Sequence, residues 1–147
     1  MRAVFATILA STVLAGCQQA ELGVDDAWVR LPAVSGRPGA AYFTVKGGTQ
    51  ATSLVAVSSP AAIRAEIHEM KHEGKMMTMA SIRDVAIAAG AKVEFKSGGK
   101  HVMLYDLSPS VRAGGTIPLR LSFADGKTIE VNAAVRAAGD AGDHSAH

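Results

Sequence analysis

Methionine and histidine are concentrated in the middle of this chain. Five of its six methionines lie within residues 68–103, and the sixth is Met1. Three of its five histidines share that region. Thioether and imidazole groups are ligands of soft transition metals, whereas a plain hydrophobic core would spread methionine along the whole chain. The cluster therefore predicts a soft-metal site, with these candidate donors: His68, Met70, His72, Met76, Met77, Met79, His101 and Met103.

Strand geometry selects four of these donors. Alternating apolar and polar residues predict strands on both sides of a polar turn. If the turn is centred on Glu73–Gly74, His68 faces Met79 across the hairpin with Cβ atoms about 5 Å apart. His101 and Met103 are two residues apart in a later strand, so their side chains point to the same face. We expect His68, Met79, His101 and Met103 to form one site.

The remaining donors have weaker geometric support. The same register places Met70 opposite Met77, and these two could be either accessory metal ligands or core residues. Met76 has the opposite parity to Met79, so we expect it in the core. His72 falls in the polar turn, and we expect it to be solvated.

The donor types favour one metal over others. Thioether sulfur is neutral and soft, so it prefers copper(I) to zinc, calcium or magnesium. Imidazole is a stronger donor whose affinity falls once pH drops below its pKa. The only cysteine is Cys17, so the chain lacks the thiolate of a blue-copper electron-transfer centre near the cluster. Such a site suits holding and handing over copper(I).

The N-terminus resembles a bacterial lipoprotein signal. Arg2 precedes an apolar run, and Leu14–Cys17 (LAGC) resembles a lipobox. We expect a signal peptide at residues 1–16, lipidation of Cys17, and a tether over residues 17–23. The protein would then be periplasmic and anchored to a membrane. Gln18, the residue after the lipidated cysteine, favours the outer membrane. An ordinary secretory signal, with Cys17 incidental, is the alternative.

The rest of the chain predicts an all-β domain over residues 24–136. Short strands alternate with glycine- and proline-rich turns, a final hairpin is centred on Asp125–Gly126, and no helical period of useful length occurs. This pattern is typical of an antiparallel sandwich or barrel. Residues 137–147 read as a flexible tail, in which His144 and His147 are candidates for a weak accessory copper(II) site.

Composition argues against several other functions. The 147 residues carry a formal net charge of +2, with no basic patch interleaved with aromatic residues, so nucleic acid is not an expected partner. We find no Ser-His-Asp order, no paired catalytic carboxylates and no catalytic cysteine, so we do not expect an enzyme. A copper buffer without a dedicated acceptor and a metal-free β-module remain as alternatives.

The four selected donors carry a resemblance to a known family. Their spacing, H-x10-M-x21-H-x-M, resembles the signature of the periplasmic copper chaperones called PCuAC, and segments such as Ala27–Arg30 and Gly98–Leu104 are similar to that family. The resemblance implies a cupredoxin-like Greek-key β-barrel that binds one copper(I) through His68, Met79, His101 and Met103. It also implies delivery of copper to the CuA centre in subunit II of cytochrome c oxidase, alone or with a Sco-type protein.

Overall fold

The computed structural model describes residues 19–140, and every regular element in that range is a β-strand. No helix long and apolar enough to cross a membrane occurs among these residues. The strands are β1 (Gly23–Arg30), β2 (Gly39–Lys46), β3 (Thr52–Ser58), β4 (Ala62–Glu73), β5 (Met76–Ser81), β6 (Val85–Ile87), β7 (Lys92–Phe95), β8 (Lys100–Leu107), β9 (Thr116–Phe123) and β10 (Thr128–Arg136).

The strands form one open sheet in the order β5-β4-β8-β7-β2-β1-β10-β9-β3-β6, with β8 also pairing with β2. Most neighbouring strands are antiparallel, but β1 runs parallel to β10 and β7 runs parallel to β8. The predicted all-β, cupredoxin-like class is confirmed. The two parallel pairings are a difference from the purely antiparallel expectation, and the sheet is mixed.

One hydrophobic core holds the sheet together. In β9 the buried residues alternate with more exposed ones, as expected for a strand with one covered face. The fully buried side chains come from strands spread along the sheet order, so the sheet curves around a single core: Val29, Phe43, Val45, Leu54, Ile87, Val102, Leu104, Leu119 and Leu121. The predicted final hairpin is also confirmed, because Gly126 has a φ of 87° in the turn between β9 and β10.

Strand β8 sits at the junction that positions the donors. It pairs with β4 on one side and with β2 on the other, so residues 102–104 lie between two strands and His101 lies directly beside them. Beyond Glu69, β4 continues and pairs with β5 alone. We call residues 70–79 the hairpin arm, because β5 is an edge strand and the arm extends past its support on β8.

The predicted signal peptide, the lipidated Cys17 and most of the predicted tail lie outside the described residues. Strand structure begins at Gly23 and ends at Arg136.

Candidate metal centre

The turn of the hairpin arm lies one residue later than predicted. Glu73 pairs with Met76, which leaves Gly74 and Lys75 as the two turn residues. Gly74 has a φ of 65°. Two-residue hairpin turns place glycine at the first central position, where φ is positive, and a turn over Glu73–Gly74 would have put a glutamate there. The local backbone preference therefore decides the register.

This register changes the partner of Met79. The predicted pairing of His68 with Met79 is wrong, because His68 faces Ser81 and Met79 faces Met70. The predicted pairing of Met70 with Met77 is wrong for the same reason, and His72 is the residue opposite Met77. A shift of two residues keeps every side chain on its original face of the sheet, so Met79 stays on the face that carries His68.

His101 presents a free nitrogen lone pair to the sulfur of Met79. Its Nδ1 lies 3.0 Å from the carbonyl oxygen of Gly99, which can only accept, so Nδ1 carries the proton of the neutral ring. Its Nε2 lies 3.3 Å from Met79 Sδ. Two lone pairs then face each other, and a tetrahedral metal with nitrogen and sulfur ligands separates such donors by about 3.5 Å. The arrangement is suited to a metal ion bridging the two atoms.

Met103 lies on the same face as His101 and completes one side of a cavity. The cavity has a volume of about 690 Å³, and Met70, Met79, His101 and Met103 all line it. Met103 is opposite Ala40 on β2, whose small side chain leaves space for the thioether. Three of the four predicted ligands thus share one cavity, together with Met70.

His68 lies beside this group but is held in a different way. It pairs with His101 across β4 and β8, and the ring centroids are 6.0 Å apart. His68 Nε2 is 3.1 Å from a carboxylate oxygen of Glu66, so in the neutral ring Nε2–H donates to that acceptor. His68 Nδ1 is buried and has no hydrogen-bond partner. An orphaned buried acceptor fits a metal ligand, and a histidine ligand usually donates its other N–H to a carboxylate or carbonyl.

Electrostatics keep the imidazole of His101 in the form that binds metal. Burial lowers the pKa of His101, the charges of His68 and Arg30 lower it further, and the Gly99 hydrogen bond opposes the shift. The neutral ring therefore persists at lower pH than in water. The hydrogen bond from His68 and the charge of Arg64 lower the pKa of Glu66, which stays a carboxylate able to accept from His68.

The other sequence predictions have mixed outcomes. Met76 is 69% exposed and is not a core residue, because a two-stranded arm has no layer covering its second face. His72 is exposed as predicted, but it lies in β4 and not in the turn. Met77 is also on the arm, two pairs farther out than Met79. His144 and His147 lie outside the described residues.

Three residues that lie near the metal centre were not selected as candidates from the sequence. Arg30 and Tyr42 line the cavity, and Arg30 donates to the Tyr42 hydroxyl over 2.6 Å. Their position follows from long-range pairing, which the sequence pattern does not carry. Glu66 could have been found, because it is two residues from His68 in a predicted strand and must share its face.

Within residues 19–140, no group of three or more His, Cys, Asp or Glu side chains is placed to hold a metal ion. The donors that do meet at the cavity are imidazole nitrogen and thioether sulfur. This combination of neutral ligands is the one that copper(I) accepts.

Comparison with solved structures places the fold. The chain superposes on the solution structure of copper(I)-loaded DR1885 from Deinococcus radiodurans with a TM-score of 0.67 and 31% identity, covering 83% of each chain. It superposes on the copper-bound PCuAC domain from PmoF2 with a TM-score of 0.64 and 21% identity, covering 82% of this chain and 98% of that domain. The second likeness shows the fold alone. The predicted resemblance to PCuAC domains is confirmed.

Comparison of sequences gives the family. Residues 22–135 match the family model described as putative lipoprotein LpqE-like. A putative lipoprotein of Leifsonia xyli subsp. xyli (strain CTCB07) is 33% identical over 129 residues, which cover 86% of this chain and 76% of that protein. The chain belongs to the LpqE-like family of putative lipoproteins and has the fold of PCuAC domains.

Proposed function

We propose that this protein is an exported copper(I) chaperone whose site consists of His68, Met79, His101 and Met103. The observation that carries the proposal is the 3.3 Å approach of His101 Nε2 to Met79 Sδ. The hydrogen bond to Gly99 leaves a lone pair on that nitrogen, so the nitrogen and the sulfur can both donate to one metal ion. Met103 on the same cavity wall and the orphaned His68 Nδ1 supply the two further donors.

The choice of copper(I) has independent support. DR1885, 31% identical to this chain, is described in its copper(I) form, and the PmoF2 domain is described as copper-bound. The ligand chemistry agrees, because two thioethers and two neutral imidazoles bring no negative charge to a singly charged soft ion. A site of this kind stabilises copper(I) without cycling it.

The exposure of the site favours transfer. Met79 is 50% exposed on an edge hairpin, whereas His68 and His101 are 8% and 7% exposed. An acceptor can therefore reach the ion from the Met79 side and displace that ligand first. We propose the CuA centre in subunit II of cytochrome c oxidase as the acceptor, with a Sco-type protein as a second participant. A copper buffer would have no such acceptor, and the transfer experiment below separates the two.

Location near a membrane fits this role. We propose that residues 1–16 are a signal peptide, that Cys17 is lipidated, and that residues 17–23 tether the copper-binding domain (24–136) to the periplasmic face of a membrane, with 137–147 as a tail. The LpqE-like family and the Leifsonia relative are both described as putative lipoproteins, which supports the anchor. Anchoring keeps the carrier close to a membrane surface, which raises its effective concentration towards partners bound there.

A copper(I) competition titration tests the metal assignment. The protein and its variants His68→Ala, Met79→Ala, His101→Ala and Met103→Ala compete with a chromophoric copper(I) chelator under anaerobic conditions. We expect one tight equivalent for the native protein and a clear loss in each variant. Met76→Ala is the matched control, because Met76 lies on the opposite face of the same strand. Native binding in any two of the four variants would overturn the four-ligand assignment.

A transfer experiment tests the acceptor. Copper(I)-loaded protein is mixed with apo subunit II of cytochrome c oxidase, with and without a Sco-type protein, and the copper content of each protein is measured after separation. Metal movement faster than release to solvent supports a carrier. Retention of copper by the loaded protein in both mixtures would favour the buffer.

A further inference from the structure

A second pair of soft donors lies farther out on the hairpin arm. His72 and Met77 are directly opposed, two pairs beyond Met70 and Met79. Pairs separated by two residues share a face of a sheet, so both pairs lie on the face that carries His68. We call His72 and Met77 the outer pair, and the four proposed ligands of the copper chaperone the inner site.

The backbone pattern brings the outer side chains close together. Ile82 N–H donates to the Ile67 carbonyl over 2.9 Å, so residues 67 and 82 form a hydrogen-bonded pair of the β4–β5 ladder. In an antiparallel ladder the two kinds of pair alternate, which makes 70/79 and 72/77 non-hydrogen-bonded pairs. Such pairs have Cα atoms about 4.5 Å apart and the closest side chains, so one ion can reach both His72 and Met77.

Met77 does not pack into the core. The residue is 53% exposed, and His72 is exposed as well. The arm is two-stranded here and β5 is the edge of the sheet, so the pair is open to solvent and to a partner. An apolar thioether gains little from such a position, whereas an accessible soft ligand needs it.

The outer pair is connected to the inner site by a continuous row of donors. Met70 and Met79 lie between them and both line the cavity that contains His101. One step of two residues along a strand is about 6.8 Å, so successive donor pairs are separated by a distance that a small movement of flexible methionine side chains covers.

We propose that His72 and Met77 form a second, weaker copper(I) site, from which the ion passes by way of Met70 and Met79 to the inner site. With one imidazole and one thioether this site holds copper(I) less tightly than four ligands do, as a point of entry requires. Its role in transfer rests on the proposed function of the inner site, but its binding of copper(I) does not.

The test follows the methionine methyl groups by carbon-13 NMR during an anaerobic titration of the full chain with copper(I). We expect the Met79 and Met103 signals to shift with the first equivalent and the Met77 signal to shift in a second, weaker phase. Double substitution of the outer pair (His72→Ala with Met77→Ala) should abolish the second phase and leave the first unchanged. It should also slow loading of the inner site from a copper(I)-chelator complex severalfold.

The control and the alternative outcomes keep the two proposals apart. Met76→Ala, on the opposite face of β5, should leave both phases and the loading rate unchanged. A Met77 signal that does not move in excess copper(I) would overturn the outer site, and so would a Met77 signal that moves together with Met79 in the first phase. A Met77 response without any tight first phase would support the outer site while contradicting the proposed inner one.

Discussion

The buried histidine donors and the exposed methionine donors are held in place by different interactions. His68 and His101 lie on strands that pair within the sheet, and both residues are more than 90% buried. Met77 and Met79 lie on the two-stranded hairpin arm, and about half of each side chain is exposed. The histidines are held by the core beneath them, whereas the methionines are held only by the local ladder of the arm.

This difference assigns separate tasks to the two regions. The imidazoles keep fixed tautomers through Gly99 and Glu66, which orients their free nitrogens before any metal arrives. The arm, an edge hairpin with few buried contacts, belongs to the least stable part of a fold and can open locally. A well-supported half and a half that can open locally would suit the proposed copper(I) site, which must hold the ion and release it to an acceptor.

The largest expected effect comes from changing the core beneath the histidines. Leu104 is fully buried on β8, next to Met103, and Leu104→Ala should lower the free energy of unfolding by about 2–5 kcal/mol, because it leaves a cavity. Met76→Ala on the arm should change it by less than about 0.5 kcal/mol. Urea unfolding of both variants, followed by fluorescence of Trp28, measures the comparison. Equal destabilisation would show that the arm is as much part of the core as β8.

A smaller effect is expected from two matched turn glycines. Gly74 and Gly126 both lie in hairpin turns and both have a positive φ. A Cβ added at either would meet nothing within 4 Å. Alanine at each should therefore cost a similar amount, about 1 kcal/mol, from backbone conformation alone. Only Gly74→Ala should also weaken copper(I) binding severalfold, since only that turn sets the register of Met79. Competition titrations of the two variants with a copper(I) chelator measure this difference. Equal affinities would show that the turn at Gly74 does not affect the copper site.

Much of the fold could be predicted from the sequence because its signals are local. Period-two alternation and glycine-containing turns mark most strands, and the Asp125–Gly126 hairpin forms as predicted. The parallel pairing of β1 with β10 could not be predicted in this way. It joins the two ends of the domain, and no periodicity within either strand specifies a partner so distant in sequence.

The donors could be predicted more securely than their contacts. A two-residue turn places Met79 on the face of His68 whether it begins at Glu73 or at Gly74, and parity along β8 places Met103 on the face of His101. The pairing of His68 with His101 brings the two faces together, and the sequence pattern does not specify that pairing. The partner of each depends on where the turn begins, which Gly74 decides through its positive φ. Because the turn begins at Gly74 and not at Glu73, Met79 faces Met70 instead of His68. For the same reason His72, which was expected in the turn, faces Met77.

The smallest expected effect is on the pH dependence of the free energy of unfolding of the metal-free protein. It tests the buried histidines and not the exposed hairpin arm. Burial and the charges of His68 and Arg30 lower the pKa of His101 below its ordinary value of 6.5. In the window between that lowered pKa and 6.5 the unfolded chain binds more protons at His101 than the folded one. The contribution of His101 to stability is therefore fully present above 6.5 and is lost as pH falls through that window. Urea unfolding at about pH 7.5 and about pH 5.5 should show a smaller loss at low pH in His101→Gln than in the native protein. Met103→Leu, which changes a neighbouring donor without removing a titrating group, should keep the native loss. An unchanged pH dependence in His101→Gln would mean that the ring is as well solvated as the exposed arm, and the distinction between the two regions would then fail at its most buried ligand.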